Sequence, residues 1–297
     1  MTSAHPGLPE FDYIRPVDLS EASQFLAKHA AEARPFSGGT DCFVRMRDGF
    51  FTPKYMVDVK NLEGAKDLKF NAKEGLTIGA AIPMNNVVAF PEAVKFYPLL
   101  VDAAKSVASY QLRSRATIIG NICNASPAGD TIGACLAYEG VLNVYTVDGR
   151  KTLPLKDFFT GPGKNQLKPG DIVLSITLPV PPKGHVGQYI KLGRNRLSDL
   201  SIVGVSILGY KDPATKSGYQ FRLAIASVAP VPFIPTKAEE ILANKTLSPE
   251  TIAESAIAAM DAVTPIDDVR GSAQYRKHMV RNLVKRGVTE VLQKLSA

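Results

Sequence analysis

The chain has 297 residues, 45% hydrophobic and 21% charged, with a formal net charge of +7; this is room for roughly two or three domains and the balance of an ordinary globular protein. Its basic residues are scattered in groups such as Arg45 with Arg47 and Arg113 with Arg115, and without an aromatic-interleaved basic stripe they argue against a nucleic-acid binder. Cys42, Cys123 and Cys135 are widely spaced and form no Cys-x-x-Cys pair, which argues against a disulfide framework, a zinc site or an iron–sulfur cluster of the chain's own and points to the cytoplasm.

Residues 1–9 lack a basic region followed by an apolar one, so no secretory leader is expected, and the longest mostly apolar run, 200–210, is too short for a membrane span. A helix is expected at 18–31, where Leu19, Ala22, Phe25, Leu26 and Ala30 recur at helical spacing behind Asp18 or Ser20 as cap. A short buried strand at 33–36 runs into Ser37-Gly38-Gly39-Thr40-Asp41, and residues 42–46 have the apolar spacing of a helical turn. Strand, glycine turn and helix start together present backbone N–H groups to a phosphate, although Gly-Gly is more often only a tight turn. A second buried strand at 55–59 completes a β-α-β-α-β order that suggests a small parallel unit. Short strands at 68–70 and 76–78 flank a turn at 72–75. Pro83 then opens one helical stretch, and a second helix is expected over 91–108.

Residues 111–130 are rich in small polar residues, glycine and asparagine but interleaved with isoleucine, which predicts irregular backbone buried beside something polar. Helical spacing resumes over 128–139 and puts Asp130 in a first turn, where an acid either complements the helix dipole or accepts from a hydroxyl ligand. A hairpin at 141–147 and 152–155 and a strand at 172–178 precede Pro179-Val180-Pro181-Pro182-Lys183-Gly184, the clearest boundary signal in the chain. Strands at 186–192, 201–210 and 219–228 suit an antiparallel sheet, and helices at 235–243, 249–263 and 272–295 close the chain.

Several of these stretches together resemble the FAD-binding subunit of molybdenum hydroxylases. They are Ser37-Gly38-Gly39-Thr40-Asp41, Ile78-Gly79-Ala80, Thr117-Ile118-Ile119-Gly120-Asn121 with Asn124-Ala125-Ser126-Pro127-Ala128-Gly129-Asp130 behind it, and Leu174-Ser175-Ile176-Thr177-Leu178-Pro179. That group includes the medium subunit of aerobic carbon monoxide dehydrogenase and the flavin domain of xanthine dehydrogenase. The resemblance runs in order from Phe11 to the C-terminal helix. It implies an α+β chain with a two-subdomain, PCMH/VAO-like FAD-binding fold followed by a C-terminal three-stranded antiparallel sheet with helices. The implied units are an N-terminal α/β subdomain over 1–59, a middle α+β subdomain over 60–178 and a C-terminal domain over 179–297.

Carried over position by position, the resemblance implies that Pro35, Phe36, Ser37, Gly38, Gly39, Thr40 and Asp41 wrap a pyrophosphate with backbone amides, and that Thr117, Ile118, Gly120 and Asn121 form the facing half. Ala108 and Val173 would lie against the cofactor, Asp130 would contact the ribitol or ribose side, and Lys191 would reach the flavin edge and favour negative charge there. The family usually has glycine where this chain has Ala116 and Ile119. A Cβ at Ile119 forbids a comfortable left-handed conformation, so Gly120 is expected to carry more of the contact.

The resemblance further implies an FAD-binding electron-transfer subunit of a molybdopterin-dependent dehydrogenase, with no catalytic acid–base pair and no metal site in this chain. A large partner subunit would hold the molybdenum-pterin cofactor and a small one would relay electrons through two [2Fe–2S] clusters. The complex would be a cytoplasmic dimer of heterotrimers with an external electron acceptor. Docking is expected at the basic segment 275–286 and the loop 194–199. One rival is a stand-alone flavoenzyme of the UDP-N-acetylenolpyruvylglucosamine reductase type, which needs substrate-binding residues in the C-terminal domain for which the sequence offers no clear candidates. The other is a non-catalytic nucleotide-binding protein in which both glycine turns are structural.

Overall fold

The computed structural model describes residues 7–195 and 198–297. Residues 1–6 of the segment read for a leader, and Arg196 and Leu197 of the expected docking loop, lie outside the described residues. The chain begins with β1 (Asp12–Ile14), α1 (Leu19–His29), β2 (Ala33–Phe36), α2 (Cys42–Arg47) and β3 (Tyr55–Asp58). The three strands pair in parallel in the order β1-β3-β2. β1 is the first strand of the expected β-α-β-α-β order, to which the sequence pattern assigns no bounds because none of its residues is fully buried and it has no apolar period. Asp18 caps α1 by accepting from the Glu21 amide at 2.8 Å. The helix buries Leu19, Ala22 and Leu26 against Val57 and Val59, and this cluster continues into Ile172 and Leu174 of the next sheet.

The middle unit contains β4 (Leu68–Asn71), β5 (Gly75–Gly79), α3 (Met84–Ala89), α4 (Pro91–Phe96), α5 (Pro98–Lys105), α6 (Tyr110–Arg113), α7 (Ile118–Asn124) and α8 (Asp130–Ala137). It continues with β6 (Val141–Thr146), β7 (Gly149–Pro154), the small pair β8 (Phe159–Gly161) and β9 (Lys164–Asn165), and β10 (Ile172–Leu178). An antiparallel sheet in the order β4-β5-β10-β6-β7 places β10 at its centre. Leu76, Ile78, Leu142, Ile176 and Leu178 turn one face toward the helices and form the main core with Leu99, Leu100, Ile118, Ile122 and Ile132.

Two expectations for this unit are corrected. The helix expected over 91–108 is broken before Pro98, which opens α5 at its first turn, while Tyr97 adopts φ −131° and ψ 48°. A proline lacks the N–H that would continue the ladder and disfavours helical geometry in the residue before it. Residues 111–130 are irregular only at 114–117 and 125–129: their isoleucines lie on α7, which Thr117 caps by accepting from the Gly120 amide at 2.9 Å.

The last unit pairs β11 (Val186–Leu192), β12 (Val203–Lys211) and β13 (Tyr219–Ala226) as an antiparallel sheet in chain order, followed by α9 (Thr236–Asn244), α10 (Pro249–Ala262) and α11 (Ala273–Ser296). Val203, Val205, Ile207, Phe221, Leu223 and Ile225 face these helices. Leu208 and Ala224 face the other way and join the middle core. The sheet is therefore covered on both sides, which explains why β12 is a continuous buried run and not an alternating one. A Cβ at Gly187 would sit 2.6 Å from Leu99 Cβ, so β11 lies close to α5. Among the described residues no helix is long and apolar enough to cross a membrane.

Glu239 of α9 accepts from the Leu223 amide at 2.6 Å, and burial pushes its carboxyl up from 4.5 to about 7, against the opposing pull of that amide and of Arg222. The folded chain therefore holds this proton more tightly than the unfolded chain does, and stability associated with it is present below about pH 4.5 and lost as pH rises through about 7. Denaturant unfolding across that window is expected to show a falling contribution that Glu239→Gln removes; an unchanged pH slope in the variant would contradict the assignment.

Candidate functional site

β2 ends at Phe36, whose ring is buried with Met46 and Met56, and the chain leaves the sheet there through Ser37-Gly38-Gly39-Thr40-Asp41 into α2. Gly39 has φ +75°, and a Cβ on it would sit 2.6 Å from the Phe36 ring. Only glycine meets both demands comfortably. Ser37 Oγ donates to the Ala80 carbonyl at 2.8 Å, which fixes the turn to the end of β5. The second turn, ahead of α7, lies directly against it: a Cβ on Gly38 would be 2.3 Å from the Arg115 carbonyl oxygen. Arg45 donates to Asn124 Oδ1 at 3.0 Å and Asn124 donates to Asp41 at 3.3 Å, tying α2 to α7.

Between the two turns is a small cleft lined by Ser37, Gly38, Lys60, Ala81, Pro83, Ser114, Arg115 and Thr117. The backbone amides of Ser37, Gly38, Gly39, Thr40 and Asp41 meet no acceptor among the described residues, and neither do those of Ile118 and Ile119. Donors in this number on two abutting turns suit an anion with several oxygens. Gly120 is exposed, and a Cβ there would meet only Thr117 Oγ1, at 3.0 Å, leaving open space above its backbone.

The structure places Ile119 and Gly120 on the first turn of α7. The Gly120 amide is taken by Thr117 Oγ1, while Ile119 sits in α7 with its side chain buried in the core and its amide without an acceptor. No left-handed residue is required there, so the Cβ does not obstruct. Of the other expected residues, Asn121 accepts from Thr131 Oγ1 at 2.7 Å, Ile118 is buried beneath the turn, and Pro35 stays exposed on β2. Val173 is buried in the middle core beside a β-bulge in β10.

Asp130 and Lys191 meet each other. Lys191 Nζ donates to Asp130 Oδ2 at 2.7 Å in a buried pair, with side-chain exposures of 15% and 7%. Burial pushes the Asp130 carboxyl up, against the pull of Lys191 and of Tyr189, whose hydroxyl donates to Oδ1 at 2.6 Å. Both Asp130 oxygens thus have protein partners, so the contact with a ribityl or ribose hydroxyl expected of it is at most a shared one. Lys191 also donates to the Ser106 carbonyl at 3.1 Å, in the turn where Ala108 takes φ 41°. This brings Ala108, Asp130 and Lys191 into one group.

Sequence reasoning missed Tyr189 and Lys60. Lys60 Nζ is held by Asp58 at 2.7 Å and Tyr13 at 2.9 Å over the Phe36 ring. Its signal was its place just beyond the carboxyl end of a parallel strand, where open α/β sheets bind ligands.

A model of the "FAD binding domain in molybdopterin dehydrogenase" matches residues 9–181, and a model of the "CO dehydrogenase flavoprotein C-terminal domain" matches residues 188–291. The chain is 28% identical to the xanthine dehydrogenase FAD-binding subunit of Escherichia coli O157:H7, over 94% of this chain and 95% of that one. It is 29% identical to the carbon monoxide dehydrogenase medium chain of Hydrogenophaga pseudoflava, over 94% and 96%. Among solved structures, a carbon monoxide dehydrogenase from Hydrogenophaga pseudoflava that lacks the Mo-pyranopterin moiety superposes with a TM-score of 0.91 at 28% identity, covering 96% of this chain and 98% of that chain.

Gly120→Val tests the cleft without disturbing the core, because the position is exposed and its φ is not positive. The variant is expected to fold with the circular dichroism of the parent but to lose most of its FAD on gel filtration. Full retention of FAD would show that nothing approaches this backbone closely.

Proposed function

The chain belongs to the family of FAD-binding domains of molybdopterin dehydrogenases, and from that premise we propose that it is the electron-transfer subunit of a molybdenum hydroxylase complex. It takes electrons from [2Fe–2S] clusters of a small partner subunit, which receives them from a large molybdenum subunit, and passes them to an external acceptor. The observation that carries the binding site is the pair of abutting turns whose amides lack acceptors among the described residues. Ser37 to Asp41 would hold one side of the FAD diphosphate, and Thr117, Ile118, Ile119 and the open backbone of Gly120 the other. Phe36 forms the floor through its buried ring, with Pro35 outside and Asn121 fixing the loop behind. Lys60 and Arg115 would supply positive charge at the rim. Ala108, Val173, Asp130 and Lys191 would line the rest, with Lys191 at the flavin edge. When bound, FAD would supply the two-electron storage.

We divide the chain after Val59 and after Leu178, at the connections between its three larger sheets. Partner docking is placed on the described part of the region expected for it, with one correction. Arg276 is 1% exposed and donates to the carbonyls of Ile202 and Ser227 and to Asp268, so it braces the interior instead of meeting a partner. His278, Arg281, Lys285 and Arg286 of α11 remain exposed. Arg194 is engaged with Asp199 within its own loop. Next to that loop, Leu200, Val269 and Tyr275 expose apolar surface at 59%, 93% and 43%, and Arg270 ties the two segments by donating to the Ser201 carbonyl at 3.2 Å. Apolar residues rimmed by charge are the usual composition of a protein interface.

The reading is tested by reconstitution. The isolated chain is expected to purify yellow, to prefer FAD over FMN because FMN leaves half the diphosphate cradle empty, and to stay oxidised when given substrate. Adding the iron–sulfur and molybdenum subunits should bleach it. Reduction of the isolated chain by NADPH, or turnover of an aldehyde, purine or carbon monoxide without partners, would favour a stand-alone flavoenzyme and overturn the proposal.

A further inference from the structure

Gly187, Tyr189 and Lys191 alternate along β11 on the face turned to the middle unit, while Gln188 and Ile190 face α11 and its neighbours. Tyr189 and Lys191 therefore reach the same carboxylate from one strand: the phenol donates to Asp130 Oδ1 at 2.6 Å and the ammonium to Oδ2 at 2.7 Å. Burial and the Asp130 charge push the Tyr189 hydroxyl far above the ordinary phenol range, so it remains a donor. Space for it comes from Gly204, which pairs with Lys191 across β12 and on which a Cβ would lie 2.8 Å from the hydroxyl.

A carboxylate held at one oxygen can swing about its Cβ–Cγ bond; one held at both cannot. An ammonium has three N–H donors. Lys191 commits one to the fixed Asp130 and one to the Ser106 carbonyl, and among the described residues the third has no partner. Two fixed acceptors on a tetrahedral nitrogen determine the direction of the remaining N–H.

We propose that Tyr189 is a positioning residue of the flavin site: by fixing Asp130 it holds the Lys191 ammonium in place, with a single N–H left for an oxygen or nitrogen acceptor on the flavin ring. This rests on the placement of Lys191 at the flavin edge given above. A charge at the edge of a low-dielectric seam stabilises negative charge on the ring, and a displaced or swinging one does so less. Tyr189 has no contact with the diphosphate turns, so its effect falls on the flavin potential and not on retention of the cofactor.

The test compares Tyr189→Phe, Gly204→Ala and Lys191→Met in the assembled complex, reading FAD content and the flavin midpoint potential by spectroelectrochemistry. Lys191→Met is expected to lower the potential, and Tyr189→Phe to lower it by part of that amount with FAD content unchanged. Gly204→Ala, whose added methyl displaces the hydroxyl, should follow Tyr189→Phe. In the Lys191→Met background, Tyr189→Phe should add nothing. A potential unchanged by Tyr189→Phe while Lys191→Met shifts it overturns the proposal, as does an equal shift in both backgrounds. Unchanged potential in all three variants with FAD bound also overturns it, and then displaces Lys191 from the flavin edge while leaving FAD binding standing. Loss of FAD from Tyr189→Phe would make Tyr189 part of the binding site itself and overturn the positioning role.

Discussion

The candidate site depends on one steric fact: the backbone of Gly38 lies so close to that of Arg115 that a single methyl on Gly38 would be 2.3 Å from a carbonyl oxygen. The two turns belong to different units, one at the end of a parallel sheet and the other ahead of a helix packed on an antiparallel one. At this separation neither can shift without the other. The bonds around the contact keep it there: Ser37 to the end of β5, and Asn124 between Arg45 and Asp41. Each is a surface or half-buried bond of about 1 kcal/mol. Their value lies in direction, because they hold an arrangement that the shared cluster of α1, β3 and β10 has already brought together.

The second seam, between the middle unit and the last sheet, has a different construction. It is apolar over most of its area, with Leu208, Ala224 and Tyr189 packed into the main core, and polar at its edge, where Asp130, Lys191 and Ser106 meet. Buried ion pairs recover their desolvation only when the remaining hydrogen-bonding capacity is well used. Here the carboxylate is satisfied on both oxygens. The placement of β11 on α5 is thereby given a register: a slip of one residue would turn Tyr189 and Lys191 toward α11.

Much of this was legible in the sequence because it rests on local pattern. The helical periods of α1, α10 and α11, the hairpin of β6 and β7, and the end of β10 at the proline-rich stretch after Leu178 each follow from spacing and turn chemistry. The failures have equally local causes. Pro98 interrupts an otherwise continuous helical period, and β1 shows no period because it is an exposed edge strand. A Cβ at 119 obstructs only in the left-handed conformation that glycine permits, whereas α7 turns the Ile119 side chain into the core. The grouping of Asp130 with Tyr189 and Lys191 spans about sixty residues. No pattern short of the fold itself displays it.

The cradle is built mainly from neutral donors. Lys60 is engaged with Asp58, and Arg45 with Asn124 beside Asp41, which leaves Arg115 as the lining cation without an ion-pair partner among the described residues. Point charges attract any anion over a Debye length and weaken with salt. Amide dipoles act only within hydrogen-bond distance, and they demand oxygens where the donors point. A site made this way gains selectivity for a diphosphate of definite geometry over free phosphate. If the proposed reading holds, cofactor retention and partner contact rest on different physical forces and on different surfaces of the chain.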